Sequence, residues 1–79
     1  MANREDLQLW VLAALNDLDG EGSVVEIAKH IWKNHEQELR DSGDLFYRWQ
    51  YEMRWAGQKL QHGGKLVKMS SPRKWRLAK

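Results

Sequence analysis

Apolar side chains recur at helical spacing in three segments of the first 62 residues, and this pattern constrains the fold more than any other feature. In the first segment, one face of a 3.6-residue period carries six apolar side chains: Leu7, Trp10, Val11, Ala14, Leu15 and Leu18. The segment therefore predicts a helix over about 4–18. Asn3 precedes it as a candidate cap, and Gly20 and Gly22 follow it as the residues that end it.

A capping box marks the start of the second helix. The hydroxyl of Ser23 is spaced to accept a hydrogen bond from the backbone N–H of Glu26, whose carboxylate can reach back to residue 23. Four apolar residues share one helical face: Val24, Ile27, Ala28 and Ile31. They predict a short helix over 24–34, and a few extended residues at its start are the alternative.

The polar stretch 35–44 predicts a long loop or a loosely held helical turn. Leu39 is its only apolar side chain, so no helical period is visible there. Ser42 and Gly43 form a break, and Asp44 is the candidate N-cap of the helix that follows.

The third helix, predicted over 45–62, carries the strongest functional signal. Its core face contains Trp49, Met53, Ala56 and Leu60. The opposite face contains Tyr47, Tyr51, Arg54, Gln58 and Gln61, with Arg48, Trp55 and Lys59 on one flank and Gln50 on the other. Solvated helix faces usually carry Glu and Lys, so this aromatic, basic and amide-bearing face indicates a binding surface.

Gly63 and Gly64 end the third helix, and the remaining residues predict a β-hairpin over about 65–78. Its two strands are the short apolar and basic runs 66–69 and 74–77. Residues 70–73 form a turn cluster, with Pro72 outside both strands. The tip and arms of this hairpin carry four cations: Lys68, Arg73, Lys74 and Arg76.

Three helices followed by a hairpin, in a chain of 79 residues, predict a single α+β domain of the winged helix-turn-helix class. In that class the third helix enters the major groove of B-DNA, where outward side chains meet base edges. The N-terminus of the second helix faces a phosphate, and the hairpin, or wing, contacts the backbone.

The charge is distributed unevenly along the chain. Residues 1–44 hold four Lys or Arg and ten Asp or Glu, a formal charge of −6, whereas residues 45–79 hold nine and one, a formal charge of +8. The total of +2 therefore conceals a basic C-terminal part, which indicates a surface for a polyanion.

Composition excludes several other classes of function. The chain has no Cys, so disulfides, thiol catalysis and thiolate metal sites are ruled out. His30 and His35 are five residues apart and do not share a helix face, so no metal and no other cofactor is expected. No nucleophile–base spacing is recognisable, so enzyme activity is not expected. No apolar run approaches a membrane span and no signal peptide is visible, so a cytoplasmic protein without a membrane partner is expected.

The third helix and the wing contain three further runs: YEMRWAGQKL at 51–60, GGKLV at 63–67 and KWRL at 74–77. Together they resemble the N-terminal winged-helix domain of Mrr-type restriction endonucleases, in which Arg-x-Trp-Ala, a Gly-apolar stretch and a closing Trp-Arg-Leu recur. Here Arg54 directly precedes Trp55, and Pro-Arg-Lys at 72–74 replaces the Arg-Gly of the family. The resemblance implies that the chain binds DNA and that it recognises modified bases. It does not imply nuclease activity, because it does not extend to the catalytic domain of that family and the chain has no Asp/Glu-x-Lys triplet.

These observations predict a module that binds double-stranded DNA, with a regulatory or targeting role. The predicted contacts are Tyr47, Arg48, Gln50, Tyr51, Arg54, Gln58, Lys68, Arg73, Lys74 and Arg76. A winged helix that docks a protein through its acidic N-terminal half is the main alternative, and RNA binding by stacking and the wing is another. A homodimer or a larger protein partner is compatible with either.

Several side chains have two interpretations. Tyr47 and Tyr51 contact sugars or phosphates, or they pack over the base of the wing. Arg54 contacts a base or phosphate, or it pairs with an acid such as Glu52. Trp55 packs against the hairpin or offers an exposed stacking surface. The other four Trp are predicted to lie in the core: Trp10, Trp32, Trp49 and Trp75.

Overall fold

The computed structural model describes residues 3–70 and 73–78, and it has the α+β winged helix-turn-helix architecture that the sequence predicts. Three helices enclose one face of a small antiparallel sheet. The elements follow in the order α1 (Asp6–Asp17), β1 (Glu21–Gly22), α2 (Val24–Arg40), α3 (Leu45–His62), β2 (Leu66–Ser70) and β3 (Arg73–Leu77).

The sheet has three strands in the order β1-β3-β2, one more than the predicted hairpin. The hairpin pairs as expected, with Val67 opposite Arg76 and Lys68 opposite Trp75. The additional strand, β1, pairs Gly22 with Trp75. A strand of two residues is too short to show an alternating pattern, so no sequence pattern indicates it. The predicted turn at Ser71 and Pro72 lies outside the described residues.

The core lies where the three predicted apolar helix faces meet the sheet. Its buried members are Leu7, Val11, Ala14, Leu15, Ile27, Ile31, Leu39, Trp49, Met53, Ala56, Leu60, Leu66 and Trp75. Trp49 and Trp75 are buried as predicted, whereas Trp10 and Trp32 are half-buried and pack against the core. The predicted core face of the third helix is therefore confirmed.

A side chain caps the second helix, and another bonds the turn that precedes the first. The Ser23 hydroxyl accepts from the backbone N–H of Glu26 at 3.1 Å, and the Glu26 carboxylate accepts from the N–H of Ser23 at 2.8 Å. This geometry confirms the predicted capping box. The Asn3 side-chain oxygen accepts from the backbone N–H groups of Glu5 and Asp6, so Asn3 satisfies the turn that leads into α1.

The first regular part of α2 ends at residue 34 as predicted, because the backbone leaves helical geometry at the next residue, and a further helical segment then continues through the polar stretch to Arg40. The backbone is non-helical at His35 alone, with φ −132° and ψ 20°, which produces a kink. The ring of Trp10 stacks on His35 with 3.9 Å between centroids, and Leu39 is fully buried. These two tertiary contacts hold a helical turn that has little apolar pattern of its own.

The third helix begins at Leu45 as predicted, but the predicted cap is not formed. Asp44 precedes the helix, but its backbone is already helical and its side chain makes no capping hydrogen bond. The chain enters α3 through short-range backbone bonds instead, from the N–H of Leu45 to the carbonyl of Ser42 and from Phe46 to Gly43. In the described part of the chain, no helix is long and apolar enough to cross a membrane.

Candidate nucleic-acid interface

The face of α3 that points away from the core is exposed along its whole length, as predicted. Tyr47 and Tyr51 are the most exposed aromatic side chains described, at 82% and 73%. The polar residues of this face are exposed with them: Gln50, Arg54, Gln58 and Gln61. Both tyrosines are too exposed to pack over the base of the wing, which removes that interpretation.

Arg54 lies at the centre of a basic cluster formed by α3 and the wing. A cleft of about 420 Å³ lies between the start of α2, α3 and the sheet, and Arg54, Lys68 and Arg73 line it. Lys68 lies over the ring of Trp75, with Nζ 5.0 Å from the ring centroid. No ion pair joins any of these three cations to a carboxylate in the described ranges, so the alternative pairing of Arg54 with Glu52 is wrong.

The ionisation of Lys68 reflects this crowding. Its partial burial lowers the pKa of the ammonium group from 10.5, and the positive charge of Arg54 lowers the pKa in the same direction. An anion placed between Lys68 and Arg54 would offset both effects. The cleft is therefore electrostatically suited to a phosphate group.

The four wing cations lie on two different faces of the sheet. Residues opposite each other in an antiparallel pair share a face, so Lys68 lies on the core-facing side with Trp75. Arg73 is two residues before Trp75 in β3, so its side chain lies on the same side of the sheet. Lys74 and Arg76 point to the other side of the sheet, where Lys74 pairs with Glu21 at 3.6 Å.

The other flank of α3 carries a second group of cations, around the buried carboxylate of Glu52. Nη2 of Arg48 contacts one oxygen of Glu52 at 2.9 Å, and Nε of Arg4 lies 3.3 Å from the other oxygen. That second oxygen makes no hydrogen bond of good geometry, so Arg4 holds it by charge alone. The guanidinium of Arg4 lies over Trp55 at 3.7 Å from the ring centroid, with Lys59 at 5.8 Å.

This second flank was not predicted as a whole. Sequence reasoning placed Arg48, Trp55 and Lys59 side by side on α3, but it missed Arg4 and the burial of Glu52. Arg4 is 48 residues from Glu52 along the chain, and only the packing of α1 on α3 brings them together. Trp55 is half-buried under Arg4, so the ring face beneath that guanidinium is covered.

The carboxylates of the acidic half are mostly engaged in local bonds. Four of them pair with His, Lys or Arg: Asp17 with His30 at 2.8 Å, Glu38 with His35 at 2.7 Å, Glu36 with Arg40 at 2.8 Å and Glu21 with Lys74 at 3.6 Å. The carboxylates of Asp6 and Glu26 accept backbone N–H groups at helix starts. Across the described ranges, no three metal-ligating side chains come together to form a metal site.

No family model, no curated protein and no solved structure matches this chain. The resemblance to the Mrr-type winged helix therefore stays a prediction.

Proposed function

We propose that this protein binds double-stranded DNA, with α3 in the major groove. The observation that carries the proposal is the placement of cations on both flanks of the exposed α3 face. Arg54, Lys68 and Arg73 lie on the side of the wing, and Arg4, Arg48 and Lys59 lie on the side of α1. A major groove about 12 Å wide admits one α-helix and is bordered by a phosphate backbone on each side. Cations on both flanks match that arrangement.

The residues of the exposed face have distinct roles in this proposal. Arg54, Gln50 and Gln58 carry donors that suit base edges, since Arg pairs with guanine and Gln with adenine in the major groove. Tyr47 and Tyr51 have hydroxyl groups within reach of sugars and phosphates along the groove. Such a module serves a regulatory or targeting role.

The surface supports DNA better than the two alternatives. The major groove of A-form RNA is too deep and narrow to admit a helix flanked in this way. A protein-docking surface on α3 would be expected to expose contiguous apolar side chains, but the large apolar side chains exposed there are two tyrosines.

The proposal is tested by fluorescence anisotropy of a labelled DNA duplex of about 30 bp, titrated with the protein at about 50 and about 200 mM salt. We expect micromolar or tighter binding at the lower salt concentration. With about five phosphates contacted, log K should fall with log salt at a slope of roughly −4 to −5. An RNA duplex of the same sequence, measured in parallel, should bind more weakly.

Two results would count against the proposal. An absence of binding at the lower salt concentration would move the assignment to a protein partner. Equal affinity for the DNA and RNA duplexes would show that α3 does not enter a major groove.

A further inference from the structure

A second cleft, of about 540 Å³, lies between α2 and α3. It adjoins the basic cleft at the wing, and Val24, Val25 and Arg54 line both. Its volume falls within the range of small-molecule sites, about 300–1,000 Å³. The proposed contact of α3 with duplex DNA uses Gln50 and Arg54 but does not account for the aromatic part of this cleft.

Aromatic rings form one part of its lining. Trp32 packs against two other rings, with 6.0 Å between its centroid and that of Trp49 and 6.3 Å to that of Phe46. The guanidinium of Arg40 lies 5.2 Å from the ring centroid of Trp32 and 5.7 Å from that of Phe46. Trp49 is buried, whereas Trp32 and Phe46 are half-buried and reach the cleft surface. Rings of this kind bind flat heteroaromatic groups by stacking and edge contacts.

The polar groups of the lining select the charge of an occupant. Lys29 of α2 and Arg54 of α3 both line the cleft, and no Asp or Glu lies among its lining residues. Gln50, exposed on α3, adds an amide that both donates and accepts hydrogen bonds. An occupant that complements this lining is aromatic, negatively charged and able to hydrogen-bond along one edge.

We propose that the cleft between α2 and α3 binds a nucleobase that carries its phosphate. The base lies against Trp32 and Phe46, its edge meets Gln50, and the phosphate is held by Lys29 and Arg54. A free mononucleotide and an unpaired nucleotide within a DNA strand share this chemistry. The inference goes beyond duplex binding and does not depend on it, because a free nucleotide can enter the cleft without a duplex.

The test is a titration of the ¹⁵N-labelled protein with AMP, GMP, CMP and TMP, followed by the indole N–H signals of Trp32 and Trp49. We expect saturable shifts of these signals with at least one nucleotide, at least tenfold weaker binding of the matching nucleoside, and no such shifts with inorganic phosphate. A duplex with one unpaired nucleotide is then compared with a fully paired duplex to identify where the bound nucleotide comes from. Shifts caused only by the duplex with the unpaired nucleotide assign the cleft to a base within DNA. Shifts caused by mononucleotides alone assign the cleft to a free nucleotide.

Substitutions separate this cleft from the rest of the surface. Ala28→Leu fills the cleft and should abolish the nucleotide-induced shifts, whereas Ala13→Leu on the exposed side of α1 should leave them unchanged. Lys29→Gln, which fills no space, should weaken nucleotide binding about tenfold and leave nucleoside binding unchanged. Circular dichroism on each variant verifies the fold.

Three outcomes would overturn the inference: no shift with any nucleotide at millimolar concentration, shifts that persist in Ala28→Leu, or binding of 1-naphthalenesulfonate as tight as that of the best nucleotide. The last result would show that the cleft accepts an aromatic anion without recognising the edge of a base. Duplex anisotropy on the same samples distinguishes these failures from failure of the proposed DNA binding.

Discussion

The indole ring of Trp75 lies directly on the backbone of Gly57. A Cβ atom at position 57 would overlap Cη2 and Cζ3 of that ring, and Trp75 is only 4% exposed, so it has little room to move. Ala is favoured over Gly inside a helix by about 1 kcal/mol. We nevertheless expect Gly57→Ala to lower the free energy of unfolding by about 1–3 kcal/mol, because overpacking outweighs propensity. Urea denaturation measures the change.

Gly63→Ala is the matched control for Gly57→Ala. The nearest atoms to a Cβ at position 63 are the carbonyl oxygens of Lys59 and Leu60, at 3.6 and 3.7 Å, which is ordinary contact. We expect this control to change stability by less than about 0.5 kcal/mol. An equal loss in both variants would show that the close approach to Trp75 is not the cause.

The end of α1 contains a residue in an unfavourable backbone conformation. Asp19 has φ 64° and is the one non-glycine residue with positive φ in the described ranges. We expect Asp19→Gly to raise the free energy of unfolding by about 0.5–1 kcal/mol, since Gly adopts this conformation without a steric cost. Thermal denaturation should show a higher Tm for Asp19→Gly and no gain for Asp19→Ala. A higher Tm in both variants would show that the loss of the Asp19 carboxylate, and not the backbone conformation, causes the gain in stability.

The capping box at the start of α2 predicts a dependence of stability on pH. The hydrogen bond from the backbone N–H of Ser23 lowers the pKa of Glu26 below 4.5, whereas partial burial raises this pKa. The Ser23 hydroxyl and the positive charges of Lys74 and Lys29 lower the pKa further. Because the pKa is lower in the folded chain, the carboxylate stabilises the fold above about pH 4.5. This contribution is lost as the pH falls through the folded pKa.

Glu26→Gln should therefore be less stable than the native chain at pH 7, and the difference should shrink at about pH 3. Denaturant titrations at the two pH values measure it. Glu5→Gln is the control, because Glu5 is exposed and its carboxylate makes no ion pair within the described ranges. A difference for Glu26→Gln that is the same at both pH values would contradict the capping role of the charged carboxylate.

Long periodic segments were predictable from the sequence. The predicted and observed limits of α3 are both 45–62, because four core residues repeat at helical spacing and Gly63 and Gly64 follow the helix directly. The same 3.6-residue period also predicted which residues of α3 are exposed on the side opposite the core. The capping box was predictable because both partners lie within four residues of each other.

Features that depend on distant residues were not predictable in the same way. The last turns of α2 rely on the stacking of Trp10 on His35 and on the burial of Leu39. The second cationic flank of α3 depends on the contact between Arg4 and Glu52, which are 48 residues apart in the sequence. Single-sequence patterns carry no information on which helix faces pack together, so such contacts become visible only in the fold.

The division of the wing into two faces predicts that its cations differ in importance for DNA binding. Arg54→Ala removes a cation of α3, and Arg73→Ala removes a cation of the wing on the side of α3. Each substitution should weaken duplex binding about tenfold at about 50 mM salt. Arg76 lies on the opposite face of the sheet and is equally exposed. We expect Arg76→Ala to weaken binding less than threefold, which is a matched comparison because the same charge is removed.

Lys33→Ala completes this series as a cation outside the proposed interface. Lys33 is exposed on α2, lines neither cleft and makes no ion pair within the described ranges, so its loss should leave duplex affinity nearly unchanged. Anisotropy titrations of the four variants, with melting curves to verify the fold, distinguish a defined interface from general attraction between a basic protein and DNA. Equal losses for Arg54, Arg76 and Lys33 would indicate general attraction and contradict the placement of α3 in the major groove. An effect confined to Arg54 and Arg73 would instead orient the wing on the phosphates beside that groove.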